Sequence, residues 1–366
     1  MNQNLIYKIA LTKIPQVGIR TARLLIDTCG GIEAVFKENF KSLSKIPRIS
    51  KTVAENITKA DVAQLSASEV NFINEHQIRA LFFKDPDYPI RLTPFADSPM
   101  LLYYKGNANL NVERTVAIVG TRRPTENGKI ICEEIVEGLS KYQVTVISGL
   151  AYGIDVTAHQ KCLSLQIPTI GVLGHGMSQI YPAIHKPIAA KMLNGGGLLT
   201  QFGPDMGPDR EHFPMRNKIV AAMADAVVVV ETARKGGSMI TAEMANSYNK
   251  DVFAVPGRLN DPYSKGANHL IKAHKAQLLE SAEDIAYIMR WSKREELEKR
   301  QAQLFPELNE REKNILRIIG DTSKINIDQL RYQTDLTNSE IAALTLELEF
   351  KGLIKTLPGK RFVLLH

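Results

Sequence analysis

From Asn111 to Arg290 short apolar runs alternate with segments of helical character. The runs are TVAIVG, VTVISG, PTIGVLG, GLLTQF, AVVVVE, DVFAVPG and AQLLE. Between them lie Asn127–Lys141, Asp155–Leu165, His185–Leu193, Met215–Ala222, Ser238–Tyr248 and Asn268–His274. A strand with one wet face alternates apolar and polar residues. These runs are apolar at nearly every position, so both faces must be covered. Helices on the two sides of a doubly wound, mostly parallel sheet supply that cover.

The segments on either side of residues 111–290 follow other patterns. Residues 1–64 read as helical and contain a weak repeat, LTKIPQVGIRTARLLI (Leu11–Ile26) and LSKIPRISKTVAENI (Leu43–Ile57). Each copy has an Ile-Pro pair, a short turn and an amphipathic helix, and the two resemble tandem helix-hairpin-helix or SAM-like units. Gly18 marks the first turn, whereas the second has Ile49-Ser50, so packing or protein contact is expected ahead of direct DNA binding. Residues 65–110 read as a connector, its Pro-rich part Lys84–Gly106 ending in a strand that joins the next domain. Residues 291–307 form a charged linker. In residues 308–366, helices near Asn309–Ile319, Ile327–Tyr332 and Asn338–Lys351 precede a hairpin, LIKTLPGKRFVLL, which together make a winged helix. The outer side of its last helix is expected to show Glu340, Thr345, Glu347 and Glu349. Carboxylates repel phosphates, and Lys355, Lys360 and Arg361 offset them only in part, so a protein-contact or regulatory role is favoured.

Ligands of open parallel sheets bind outside the carboxyl ends of the strands. Those ends read GTRRPT, SGLAYGID (Ser148–Asp155), GHGMSQIYP (Gly174–Pro182), TQFGPDMGPDREHFPMRNK (Thr200–Lys218) and ETARKGGSMITAE (Glu231–Glu243). Gly120, Gly149, Gly236 and Gly237 let backbone N–H groups approach an oxyanion, and the following helices aim their positive ends at it. Thr121, Ser148, Ser238 and Thr241 add hydroxyls, and Arg122, Arg123, Arg210, Arg216, Lys218 and Lys235 add full charges. One or two of these cations are expected in structural ion pairs. The remainder exceeds what one nucleotide needs and suits a row of phosphates. Phe213 reads either as a ring for stacking on a base or as a core residue. The formal charge of +7 agrees with a polyanionic partner and equally with plain solubility.

Signatures of catalysis are absent: there is no G-x-x-x-x-G-K-[ST], no H-E-x-x-H and no G-x-S-x-G. His159 reads as a packing histidine and Asp155 as a helix N-cap. Cys29, Cys132 and Cys162 are far apart, which argues against a disulfide or a zinc site. The first residues lack the pattern of a signal peptide, and IVAAMADAVVVV, interrupted by Asp225, is too short to span a bilayer. A cytoplasmic protein without cofactor, metal or membrane association is expected.

With these loops in hand, the chain resembles the DprA (Smf) family, the DNA-processing proteins of bacterial transformation. The residues that carry the resemblance are VGTRRPT, SGLAYGIDVTAH, GHGMSQIYP, HFPMRNKIVAAMADAVVVVE, KGGSMITAEMA, VFAVPG and KGANHLI, in that order. It implies an extended Rossmann-like domain that binds single-stranded DNA, forms a homodimer and helps load the RecA recombinase, with a SAM-like domain before it and a winged helix after it. Carried over by motif, the DNA contacts are Gly120, Thr121, Arg122, Lys186, Arg210, Phe213, Asn217, Gly237 and Ser238. Lys218 stands where the family has arginine, and His185 where it often has asparagine. A second resemblance is to the Lonely-guy phosphoribohydrolases, whose P-G-G-x-G-T-x-x-E loop is approached by KGGSMITAE. Glu243 and Arg216 would then act on a nucleoside monophosphate, but Met239 and Ile240 replace the Gly-Thr pair that cradles its phosphate.

Overall fold

The computed structural model describes residues 3–293, 308–322, 325–357 and 361–365. They divide between two units, Met1–Trp291 and Ser292–His366.

The first unit opens with helices α1 (Gln3–Lys13), α2 (Ile19–Cys29), α3 (Ile32–Lys37), α4 (Phe40–Leu43), α5 (Lys51–Thr58) and α6 (Val62–Glu75). Strands β1 (Arg79–Phe82) and β2 (Leu101–Gly106) follow. Then come β3 (Thr115–Val119), α7 (Glu126–Leu139), β4 (Thr145–Ser148), α8 (Ile154–Ser164), β5 (Thr169–Val172), α9 (Lys186–Met192) and β6 (Gly197–Thr200). The last part holds α10 (His212–Met223), β7 (Ala226–Val229), α11 (Gly237–Ser247), β8 (Asp251–Ala254), α12 (Ser264–Lys272), β9 (Gln277–Leu278) and α13 (Ala282–Met289). Each apolar run of the sequence contains one strand of the sheet.

The sheet order is β1-β2-β6-β5-β4-β3-β7-β8-β9. Strands β3 to β9 run parallel, while β1 and β2 are antiparallel to their neighbours. The chain winds outward from β3 through β4, β5 and β6. It then crosses back to β7 and winds the other way, so the order reverses between β3 and β7. The parallel strands β3 to β7 are buried at every residue, as cover on two faces requires.

Residues 65–110 are more than a connector. Helix α6 runs across residue 64, and β1 and β2 extend the sheet beyond β6. Glu69 on α6 accepts a hydrogen bond from the buried phenol of Tyr103 on β2 and pairs with Lys13 of α1 at 2.6 Å. The helices therefore share one apolar core with the sheet, from Ile9 and Leu25 to Leu102 and Val119. Neither the paired carboxylate nor the antiparallel edge has a local signature.

In the second unit, α14 (Glu310–Thr322), β10 (Ile325–Asn326), α15 (Ile327–Gln333), α16 (Asn338–Phe350), β11 (Ile354–Leu357) and β12 (Arg361–Leu364) form a winged helix. Its sheet has the order β10-β12-β11, a strand more than the hairpin expected. Capping boxes, Asn326 with Gln329 and Thr337 with Glu340, start α15 and α16. The Pro358-Gly359 turn, Lys360 and the linker from residue 294 lie outside the described residues.

The outer face of α16 differs from expectation. Thr345 is buried, its hydroxyl donating to Ile341 O at 2.7 Å. Glu349 accepts from the Thr356 hydroxyl and N–H, and Glu340 belongs to the cap. Ala342, Ala343, Leu346, Glu347 and Phe350 remain exposed, and none of them can hold a phosphate.

Candidate nucleic-acid interface

A crevice of about 490 Å³ lies where the strand order reverses. It is lined by Gly120, Thr121 and Arg122 after β3, and by Arg210, Phe213, Arg216 and Asn217 leading into and along α10. Gly236, Gly237, Ser238 and Thr241 at the start of α11 line it as well. The reversal explains the location: the crossovers leave β3 and β7 in opposite directions, so their loops part and leave a gap.

The turn after β3 is not an open phosphate cradle. Thr121 N–H donates to Glu231 O at 2.7 Å. The Thr125 N–H and hydroxyl donate to the Glu231 carboxylate at 2.9 and 2.6 Å. The Thr125 hydroxyl in turn caps α7 by accepting from Gly128 N–H at 2.9 Å. A Cβ on Gly128 would lie 2.4 Å from the Glu231 carboxyl carbon, so a glycine is needed there. An internal carboxylate thus serves the helix end where a dinucleotide-binding fold places its pyrophosphate. The N-terminus of α8 is also engaged internally. Gly153, at φ +78°, lets the second loop touch the first, and Ile154 N–H donates to Thr121 O at 3.2 Å. Helix α11 differs: its N-cap, Gly236, provides no side-chain cap, and Gly237 and Ser238 line the crevice.

Arg216 is 4% exposed. Its guanidinium donates to Gly149 O, to Val172 O at 2.7 Å and to Asn217 Oδ1 at 3.0 Å. It ties α10 to the ends of β4 and β5 and is not free to bind phosphate. Asp155 is the second residue of α8, not its N-cap, and accepts from Ala151 N–H at 3.4 Å. Burial pushes its carboxyl up, opposed by the charge of Arg216. Ser148 is fully buried and donates to Ile118 O at 2.6 Å, and Gly149 offers its carbonyl to Arg216. Lys218 lies outside the crevice and pairs with Asp97 at 3.1 Å. Ser148, Gly149, Arg216 and Lys218 are thus engaged with partners inside the fold. Strand ends are where carbonyls lose their ladder partners, so polar residues there serve the backbone first.

Arg122, Arg123, Lys186, Arg210 and Lys235 are exposed. Arg122 and Arg210 line the crevice, whereas Arg123, Lys186 and Lys235 do not. The Arg122 guanidinium lies over the Phe213 ring, 5.1 Å from its centroid. Phe213 is half-buried, 6.2 Å from the Tyr181 ring, and belongs wholly neither to the core nor to the surface. The sequence reading missed Thr232, Ile240 and Tyr263 in the lining. They carry neither glycine nor charge, and Tyr263 arrives from a segment that showed no strand-end signal.

His159 is fully buried, its Nδ1 2.7 Å from Thr169 Oγ1 and its Nε2 without a partner. Burial, with Arg216 and His185 nearby, pushes it down to about 3. It is neutral and is not a base for any ligand. The unfolded chain takes up a proton near pH 6.5 and the fold only near 3. Stability from this site is thus full above about pH 6.5 and falls as the pH drops toward 3. We expect His159→Gln to remove about 2–3 kcal/mol of the stability difference between pH 7 and 4.5, at about 1.4 per pH unit. Urea unfolding at the two pH values checks this, and an unchanged difference contradicts it.

Glu243 is exposed and pairs with Lys275 at 2.8 Å. It does not line the crevice, and Arg216 is committed to carbonyls, so the pair needed by a phosphoribohydrolase is not assembled. Among the described residues, no group of His, Cys, Asp or Glu could hold a metal, and no helix is long and apolar enough to cross a membrane.

Three family models match the chain: DNA recombination-mediator protein A over residues 79–290, the DprA winged helix domain over 299–360, and a SAM-like helix-hairpin-helix tandem over 8–60. DNA processing protein DprA of Streptococcus pneumoniae is 38% identical over 55% of this chain and 71% of its own length. Protein Smf of Escherichia coli is 32% identical over 74% of each. The X-ray structure of the Streptococcus pneumoniae protein superposes with a TM-score of 0.64 at 32% identity, covering 77% of this chain and 96% of that one. A structure of DNA processing protein A from Helicobacter pylori, described for its single-stranded DNA binding mode, gives 0.54 at 28% identity over 59% and 98%.

Proposed function

The chain belongs to the DprA/Smf family of DNA-processing proteins, and from that premise we propose that it holds single-stranded DNA along the rim of the sheet without cutting it. The observation that carries this reading is the combination at the β3/β7 reversal. Exposed cations, Arg122 and Arg210, meet an uncapped helix start at Gly237 and a half-exposed ring, Phe213, while the single-pyrophosphate position is served by Glu231. Arg123, Lys186 and Lys235 extend the charge beyond the crevice, as a polymer of phosphates needs and a mononucleotide does not. Gly120, Thr121, Asn217, Gly236, Ser238 and Thr241 shape the contact surface.

The reading extends to protection of incoming DNA in the cytoplasm during transformation, and to its transfer to a RecA recombinase by a homodimer. Family membership supports these steps. The displaced Glu243 supports a binder over a nucleoside-monophosphate hydrolase.

A gel-shift titration at two salt concentrations tests the binding mode. Labelled oligo-dT is expected to be displaced by unlabelled single strand, weakly by duplex, and not by AMP. Displacement by AMP at concentrations comparable to the oligonucleotide would overturn the polymer reading.

A further inference from the structure

A second groove, of about 410 Å³, lies away from the strand ends and shares no lining residue with the crevice. Exposed Arg20 and Arg23 of α2 and Arg48, from the turn between α4 and α5, line it beside exposed Pro94, and half-buried Leu24 and Phe95 form its floor. We propose that this groove docks an acidic peptide segment of a partner protein, anchored by an apolar side chain.

Charge is the first argument. All three arginines are exposed, and none forms an ion pair among the described residues. Asp27, the carboxylate of the rim, is neutralised by Lys84. Residues 1–60 carry ten Lys and Arg against four Asp and Glu, so most of the chain's +7 excess sits on these helices. Arg20 and Arg23, three residues apart, share one side of α2, and Arg23 lies over the Phe83 ring at 5.5 Å. Guanidinium groups placed in this way can take carboxylates through paired hydrogen bonds.

The floor decides between anions. A single strand held without sequence preference uses cations for its phosphates and open rings for its bases. Phe95, the one ring lining this groove, is packed against Tyr248 at 4.1 Å with Lys250 over it at 5.9 Å. Leu24 and Pro94 offer apolar contact that a phosphate backbone cannot use. A short peptide presenting Asp or Glu beside Leu or Phe satisfies rim and floor together.

The test is fluorescence anisotropy on the full chain, with a fluorescein-labelled peptide of about twelve residues alternating Glu or Asp with Leu and Phe. Arg20→Glu with Arg48→Glu should weaken its binding ~10-fold or more, and exchanging the peptide's Leu and Phe for Ser should do the same. Oligo-dT binding should change less than ~2-fold, because the crevice is separate. Both arginines are exposed, and circular dichroism verifies folding; should the reversal unfold the chain, Arg20→Gln with Arg48→Gln replaces it. Failure of the peptide to bind, or binding indifferent to the arginines, overturns the proposal. So does a selective loss of oligo-dT binding in the variant, which would give the groove to nucleic acid.

Discussion

Arg122→Glu is expected to weaken oligo-dT binding by about 10- to 100-fold, the worth of one charged hydrogen bond of roughly 1.5–3 kcal/mol, before like-charge repulsion is added. Arg122 is exposed and lies over Phe213, so in the proposed interface one guanidinium would serve both a phosphate and the ring. The variant should also lower the slope of log affinity against log salt by about 0.7, one phosphate's share on a single strand. Thermal unfolding should change little, because Arg122 is exposed and forms no ion pair among the described residues. Binding isotherms at several salt concentrations measure both effects. An unchanged affinity and slope would remove Arg122 from the interface.

Arg216→Leu should act in the opposite order, on folding first and on DNA second. The guanidinium is buried, and its loss strands the carbonyls of Gly149 and Val172 and leaves Asp155 without its opposing charge. A destabilisation of about 3–5 kcal/mol is expected from breaking such a buried charged network. Arg216→Lys should recover part of it, since a lysine keeps the charge but lacks the second nitrogen, Nε, that donates to Asn217 Oδ1 while Nη1 holds the two carbonyls. Urea unfolding measures this. Under conditions where the variant is still folded, oligo-dT binding should also fall, because Phe213 and Asn217 lie on the helix that Arg216 anchors. A variant as stable as the parent would mean that the carbonyls find other donors.

The two arginines belong to different strand-end motifs, GTRRPT and HFPMRNK, and in the sequence they read alike. Charge within a strand-end motif marked both as candidate phosphate ligands. Exposure distinguishes them, and exposure depends on where α10 packs. Burial likewise sets Ser148 apart, whose hydroxyl serves Ile118, and an ion pair with Asp97 sets Lys218 apart. Glu231 shows the converse. It read as the end of a strand, and it proved to be the internal anion of the first turn, facing Thr125 and Gly128 from over a hundred residues away.

The sequence by itself determined the parallel sheet, its helical cover and the winged helix, because unbroken apolar runs and helical periods are local properties that dictate burial on two faces. It also marked the strand-end loops, since glycine, hydroxyl and cation cluster there. Only the tertiary structure decided the strand order and the gap between β3 and β7. It also decided which arginine reaches solvent, and that Thr345 turns inward while Leu346 and Phe350 stay exposed. Those outcomes depend on pairings between residues distant in the chain. For Arg216 and Glu231 that pairing is the satisfaction of buried carbonyls and of a buried carboxylate, which no short stretch of sequence records.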